Sequence, residues 1–80
     1  MKAILVRYGA LLKEQAGLAK ETVLTDASDA GILFDQLRQR HGFRFGCATF
    51  VVVINNELRS LTDIVNDGDE VLFLPPMSGG

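Results

Sequence analysis

Four apolar residues in a row, Val71, Leu72, Phe73 and Leu74, run straight into Pro75 and Pro76. A run of that length and composition, preceded by the turn signal Asn66-Asp67-Gly68-Asp69-Glu70, reads as a β-strand. Neither proline carries an N–H to give to a sheet ladder, so the strand must end at Leu74. Beyond the prolines, Met77-Ser78-Gly79-Gly80 offers little to pack. The sequence therefore predicts a folding unit over residues 1–74 and an extended tail over residues 75–80.

Upstream, strand and helix patterns follow one another. Ile4, Val6 and Tyr8 share one face of an alternating run, with Ala3, Leu5 and Arg7 on the other. Gly9 and Gly17 bound a short helical stretch, and Glu21-Thr22-Val23-Leu24-Thr25 is β-branched enough to pair with the first strand. Ser28 is read as the N-cap of a longer helix, with Asp29 in its positive first turn. Within it Ala30, Leu33, Phe34 and Leu37 recur at the spacing of one buried stripe, and Gly42 ends it. Gly31 costs that helix about 1 kcal/mol relative to alanine. Phe50-Val51-Val52-Val53-Ile54 reads as a central strand covered on both faces, Asn55-Asn56 as a tight turn and Glu57-Leu58 as a short returning strand. The two Phe of Gly42-Phe43-Arg44-Phe45-Gly46 fall in a loop with no assigned environment.

This order is α+β, and its natural form is a β-grasp. That fold is a mixed sheet of about five strands with one main helix on one face and the first and last strands parallel neighbours.

Composition bounds the function. An 80-residue chain makes one domain and buries only about 60% of its unfolded surface, so a hydrophobic content of 48% leaves apolar surface for a partner. A net charge of −2, with no run of Lys or Arg, excludes nucleic acid as the expected partner. Arg7 interrupts the opening apolar run before a signal core or a membrane span could form, so a cytosolic protein with no membrane partner is expected. Cys47 is the one cysteine, which rules out an internal disulfide, and with His41 it cannot supply the usual zinc set; no metal site is expected. Cys47 is read as a packing residue, with a reactive or sulfur-relay thiol as the alternative, and His41 as a ring at a helix C-terminus, where the dipole favours positive charge. No nucleophile triad, carboxylate pair or phosphate-cradling loop is present in the sequence, and Asp67-Gly68-Asp69-Glu70 reads as a solvated turn. No bound cofactor is expected.

The tail is where chemistry remains. Six extended residues reach roughly 20 Å, at about 3.3 Å each, far enough to enter another protein's active site. Pro75 and Pro76 stiffen the arm where it leaves the sheet, and Met77, Ser78, Gly79 and Gly80 form its slender end. The reactive group at that end is the Gly80 carboxylate, which is ionised at neutral pH and a poor electrophile. Adenylation would give it a leaving group. A sulfur nucleophile could then replace AMP and leave a terminal thiocarboxylate, itself a sulfur donor.

Three segments carry a resemblance: Tyr8-Gly9-Ala10-Leu11-Leu12-Lys13-Glu14-Gln15-Ala16-Gly17, the stretch from Leu61 through Pro76, and above all the Pro-Pro-x-Ser-Gly-Gly ending. Over nearly its whole length the chain resembles the small, sulfur-carrying subunits of molybdopterin synthase, within the ubiquitin-like MoaD/ThiS sulfur carriers that include the thiamine carrier. The Pro-Pro pair resembles the molybdopterin branch; Leu74 stands where that branch more often has Phe, and Met77 where Val is usual. The resemblance implies an E1-like adenylyltransferase that spends ATP on Gly80 and a sulfurtransferase that delivers sulfur. It also implies a large synthase subunit, paired in a heterotetramer, that supplies the catalytic groups. Sulfur would pass to cyclic pyranopterin monophosphate. The other clients of such carriers are thiamine thiazole, cysteine synthesis, tRNA thiolation or a lysine, and an adaptor with a chemically unused tail is the remaining alternative. If Val71 and Phe73 point inward, Leu72 and Leu74 point outward beside the tail and are the expected partner-binding residues.

Overall fold

The computed structural model describes residues 1–44 and 51–74. Residues 45–50 and 75–80 lie outside the described residues, and with them Cys47 and the whole Pro75, Pro76, Met77, Ser78, Gly79 and Gly80 tail.

Alternation builds the first strand as expected. Over Lys2–Tyr8 (β1), Ile4, Val6 and Tyr8 are buried while Ala3, Leu5 and Arg7 face the other way. Ala10–Ala16 forms a short helix (α1), closed by Gly17 in a left-handed conformation at φ 78° that suits glycine. Lys20–Thr25 (β2) then pairs antiparallel with β1, from Lys2 opposite Thr25 to Arg7 opposite Lys20.

The main helix is Ala30–His41 (α2), and its buried residues are Ala30, Leu33, Phe34 and Leu37, the expected stripe. Its N-cap is Asp29, not Ser28. The Asp29 carboxylate accepts from Ile32 N at 2.8 Å and its carbonyl accepts from Leu33 N, whereas the Ser28 carbonyl accepts from Val65 N at 3.1 Å. A long-range contact thus claims the residue that local preference marks. Gly31 has a comparable explanation: its amide donates to the Leu61 carbonyl at 2.7 Å, and a Cβ there would stand 3.2 Å from that oxygen. Absence of a side chain lets the 60–65 segment lie against the helix start.

Val51–Ile54 (β3) turns through Asn55 and Asn56, both at positive φ, into the short strand Glu57–Arg59 (β4). Glu70–Leu74 (β5) completes one sheet in the order β2-β1-β5-β3-β4. β1 and β5 are parallel neighbours, so β5 is the central strand. β3 is not: it lies one place in from the edge, and only one of its faces is covered, with Val52 and Ile54 buried and Val51 exposed. A continuous β-branched run cannot by itself tell two-sided burial from a one-sided sheet whose outer face is also apolar.

Helix α2 covers the inner face. Phe34, fully buried, lies 5.2 Å from Phe73 of β5 and 5.8 Å from Phe43, ring centre to ring centre. Phe43 is therefore a core residue, 5% exposed. The arrangement is the mixed five-stranded β-grasp expected from the element order.

Candidate functional site

The site is the C-terminal end of β5 and the sheet face beside it. β5 is held by a ladder on each side: Arg7 and Tyr8 of β1 stand opposite Leu72 and Phe73, and Val53 and Val51 of β3 opposite Leu72 and Leu74. The last rung on the β1 side is Gly9 N donating to the Phe73 carbonyl at 3.1 Å. Phe73 is fully buried beneath that rung. The strand is thus secured up to its final residue, from which the 75–80 segment continues.

Alternation sorts β5 into two faces. Val71 and Phe73 are buried in the core, while Leu72 and Leu74 lie half-buried on the face that α2 does not cover. Cross-strand register places Val53 beside Leu72, Val51 beside Leu74 and Leu58 beside Val53. Leu72, Leu74, Val51, Val53 and Leu58 therefore form one apolar surface, with Leu58 74% exposed. Its flank is charged: Arg7 donates to Glu70 at 2.9 Å, a pair half open to solvent. Apolar residues with a charged margin suit docking on another protein.

Beneath the same end of the sheet is a polar network that the sequence did not reveal. Tyr8 donates to the Glu21 carboxylate at 2.6 Å, His41 Nε2 is 2.6 Å from the same oxygen, and Arg40 stands 3.8 Å from the other. Burial pushes the Tyr8 hydroxyl well above its usual pKa, and the hydrogen bond and charge of Glu21 add to this. Burial alone would also raise Glu21, but the hydrogen bonds from Tyr8 and His41 and the charges of His41 and Arg40 outweigh it and hold the carboxyl below its ordinary value. His41 therefore does more than complement the helix dipole; it ties the end of α2 to β2. The only hint in the sequence was an acidic residue opposite a helix-ending histidine.

The acidic turn is occupied structurally. Asp67 accepts from Ala3 N at 2.7 Å, and Asp69 accepts from Asn66 N at 2.8 Å and Asn55 Nδ2 at 3.0 Å. A polar groove of about 440 Å³ beside it, touching Glu57, Arg59 and Asp63, lies toward the opposite end of β5 from Leu74. Among the described residues no group of His, Cys, Asp and Glu could hold a metal ion, and no helix is long and apolar enough to cross a membrane.

The family of this fold and surface is identifiable, since the model of the ThiS family matches residues 6–80, which takes in the apolar face and the entire tail. The chain belongs to the ThiS family. A curated relative, the molybdopterin synthase sulfur carrier subunit of Mycobacterium tuberculosis (strain ATCC 25618 / H37Rv), is 34% identical over 62 residues, 76% of this chain and 75% of that one. Small archaeal modifier protein 1 of Haloferax volcanii has the same fold at TM-score 0.80 and 25% identity, over 96% of this chain and 100% of that one. The complex of subunits 1 and 2 of the molybdopterin-converting factor from Helicobacter pylori 26695 contains a chain of like fold, at TM-score 0.64 and 23% identity. That match covers 98% of this chain and 99% of the Helicobacter one. The chain is thus a member of the MoaD/ThiS sulfur carriers, the group its ending resembles.

Proposed function

We propose that this ThiS-family chain is the sulfur-carrying small subunit of a molybdopterin synthase and works in the cytosol, with Gly80 as the residue that carries sulfur. The observation that carries this reading is the family match over residues 6–80, joined to a curated relative of that name at 34% identity. The Gly80 carboxylate attacks the α-phosphorus of ATP on an E1-like adenylyltransferase, and pyrophosphate leaves. Hydrosulfide supplied through a sulfurtransferase then attacks the acyl carbon; a C–S bond forms, the C–O bond to AMP breaks, and Gly80 becomes a thiocarboxylate. ATP is the activating enzyme's substrate. The carrier next docks through Leu72, Leu74 and their neighbours on a large subunit, in a heterotetramer, and Pro75, Pro76, Met77, Ser78 and Gly79 thread into its active site. Two such deliveries to cyclic pyranopterin monophosphate build a dithiolene, and catalytic groups come from the large subunit.

This chain's own contribution is presentation. A sheet clamped to Leu74 gives the tail a fixed origin, and an apolar face beside that origin sets the distance between docking and chemistry. The reading is tested by incubating the carrier with its activating enzyme, ATP and a sulfur donor, then recording intact mass. One oxygen exchanged for sulfur is expected, reversed when the large subunit and cyclic pyranopterin monophosphate are added. An unchanged mass sinks the proposal. The likeness to small archaeal modifier protein 1 favours a second reading, in which Gly80 is joined to a lysine of a target protein. Isopeptide-linked products in place of a sulfurated pterin would select it, as transfer to a thiazole synthase would select the thiamine branch.

A further inference from the structure

Three local structures meet at Gly9. Its amide closes the β1–β5 ladder on the Phe73 carbonyl at 3.1 Å, and its carbonyl accepts from Leu12 N at 3.0 Å in the first turn of α1. It is the N-cap of α1, and it caps with no side-chain hydrogen bond. Serine, threonine, asparagine or aspartate would cap better, because a side-chain oxygen would satisfy one of the free N–H groups. The backbone gives no reason to refuse them, since φ −102° and ψ 153° form an extended conformation open to any residue.

Space gives the reason. A Cβ on Gly9 would lie 2.5 Å from Cδ2 of Leu74 and 3.4 Å from the Phe73 carbonyl oxygen. The Leu74 side chain lies where every other residue carries its Cβ. Leu74 is the last residue of β5 and the last before Pro75. With Phe73 buried on the inner face and Leu74 seated on Gly9, both sides of the strand end are held.

We propose that Gly9 is a positioning residue: its missing side chain is the seat that orients Leu74, and through Leu74 the start of the tail, for entry into a partner's active site. The role rests on the carrier reading given above. A Cβ at position 9 displaces the far end of a flexible side chain, so the fold tolerates it while the strand end is re-aimed.

The test compares full-length wild type, Gly9→Ala, Leu74→Val and the double variant as substrates of the E1-like enzyme from the same genome. ATP and sodium sulfide are supplied, intact mass is read against carrier concentration, and thermal melts run alongside. Gly9→Ala is expected to melt within about 3 °C of wild type, with kcat down about tenfold and KM changed less than about threefold. Valine has no Cδ, so Leu74→Val makes room for the new methyl. The double variant should then return to within about twofold of Leu74→Val alone, the signature of coupling between the two sites. Equal kcat in wild type and Gly9→Ala overturns the inference. So does a loss that follows the melting temperature, one confined to KM, or one that the double variant does not recover. A wild-type chain that gains neither AMP nor sulfur overturns the carrier reading itself, and the positioning role with it.

Discussion

The Tyr8 hydroxyl donates to Oε2 of Glu21 at 2.6 Å, joining the end of β1 to the start of β2 through side chains as well as through the ladder. His41 approaches the same oxygen at 2.6 Å, with its ring edge-on to Tyr8 at 5.6 Å, and so brings the end of α2 into the junction. Tyr8 also stands opposite Phe73, two residues before Pro75. A carboxylate placed in this way stiffens the corner of the sheet from which the tail continues.

Acid should weaken that corner in a specific way. The folded protein holds Glu21 below its ordinary pKa of 4.5, so the stability this carboxylate lends is complete above that value and is lost as pH falls through the folded one. Replacing Glu21 by Gln is expected to cost about 1.5–3 kcal/mol at pH 7, the range for hydrogen bonds to a charged group. Urea midpoints of wild type and Glu21→Gln should hold apart above the ordinary value of 4.5 and converge as pH falls below it. A gap that stays constant through that fall contradicts the assignment.

The capping assignment is separable by two substitutions. Asp29→Ala removes the acceptor of Ile32 N and should cost about 1 kcal/mol in urea denaturation. Ser28→Ala leaves the Ser28 carbonyl bond to Val65 intact and should stay within about 0.5 kcal/mol of wild type. Reversed magnitudes would restore Ser28 as the cap.

Neighbouring residues of β5 should separate docking from folding. Leu72→Gln changes a half-buried side chain on the uncovered face, and its melt should match wild type within about 4 °C while partner Kd, by calorimetry, rises about tenfold. Phe73→Ala removes a fully buried ring and should cost about 3–5 kcal/mol, enough to unfold a small domain largely. Loss of fold in Leu72→Gln would place the docking surface elsewhere.

The end of the chain offers the sharpest contrast between presentation and adaptor roles. Under the proposed carrier role of Gly80, one alanine appended after it should leave the melt unchanged and abolish adenylation, because the carboxylate would then stand one residue too far along an active site shaped for a Gly-Gly end. Full cofactor production by the extended chain would show that the end is chemically idle.

Much of this was readable in residue order alone. The inward triplet Ile4, Val6 and Tyr8, the helical stripe ending at Leu37 and the Asn55-Asn56 turn all follow from local rules. A side-chain period, a glycine or proline conformational limit and a turn preference act over a few residues, so they are visible wherever those residues stand. The role proposed for the tail rests on residue order too, since a slender Gly-Gly end after two prolines suggests a carried carboxylate without reference to a fold.

Tertiary structure decided what depends on residues far apart. It moved the cap from Ser28 to Asp29 by giving the Ser28 carbonyl to Val65, made Gly31 a close-approach point for Leu61, and put Phe43 against Phe34 in the core. It also assembled Tyr8, Glu21 and His41 into one network and filled the vacancy on Gly9 with Leu74. Each of these is set by sheet register and helix placement, which are collective results of burying the core. The local patterns belong to residue order, and the direction in which β5 ends belongs to the fold.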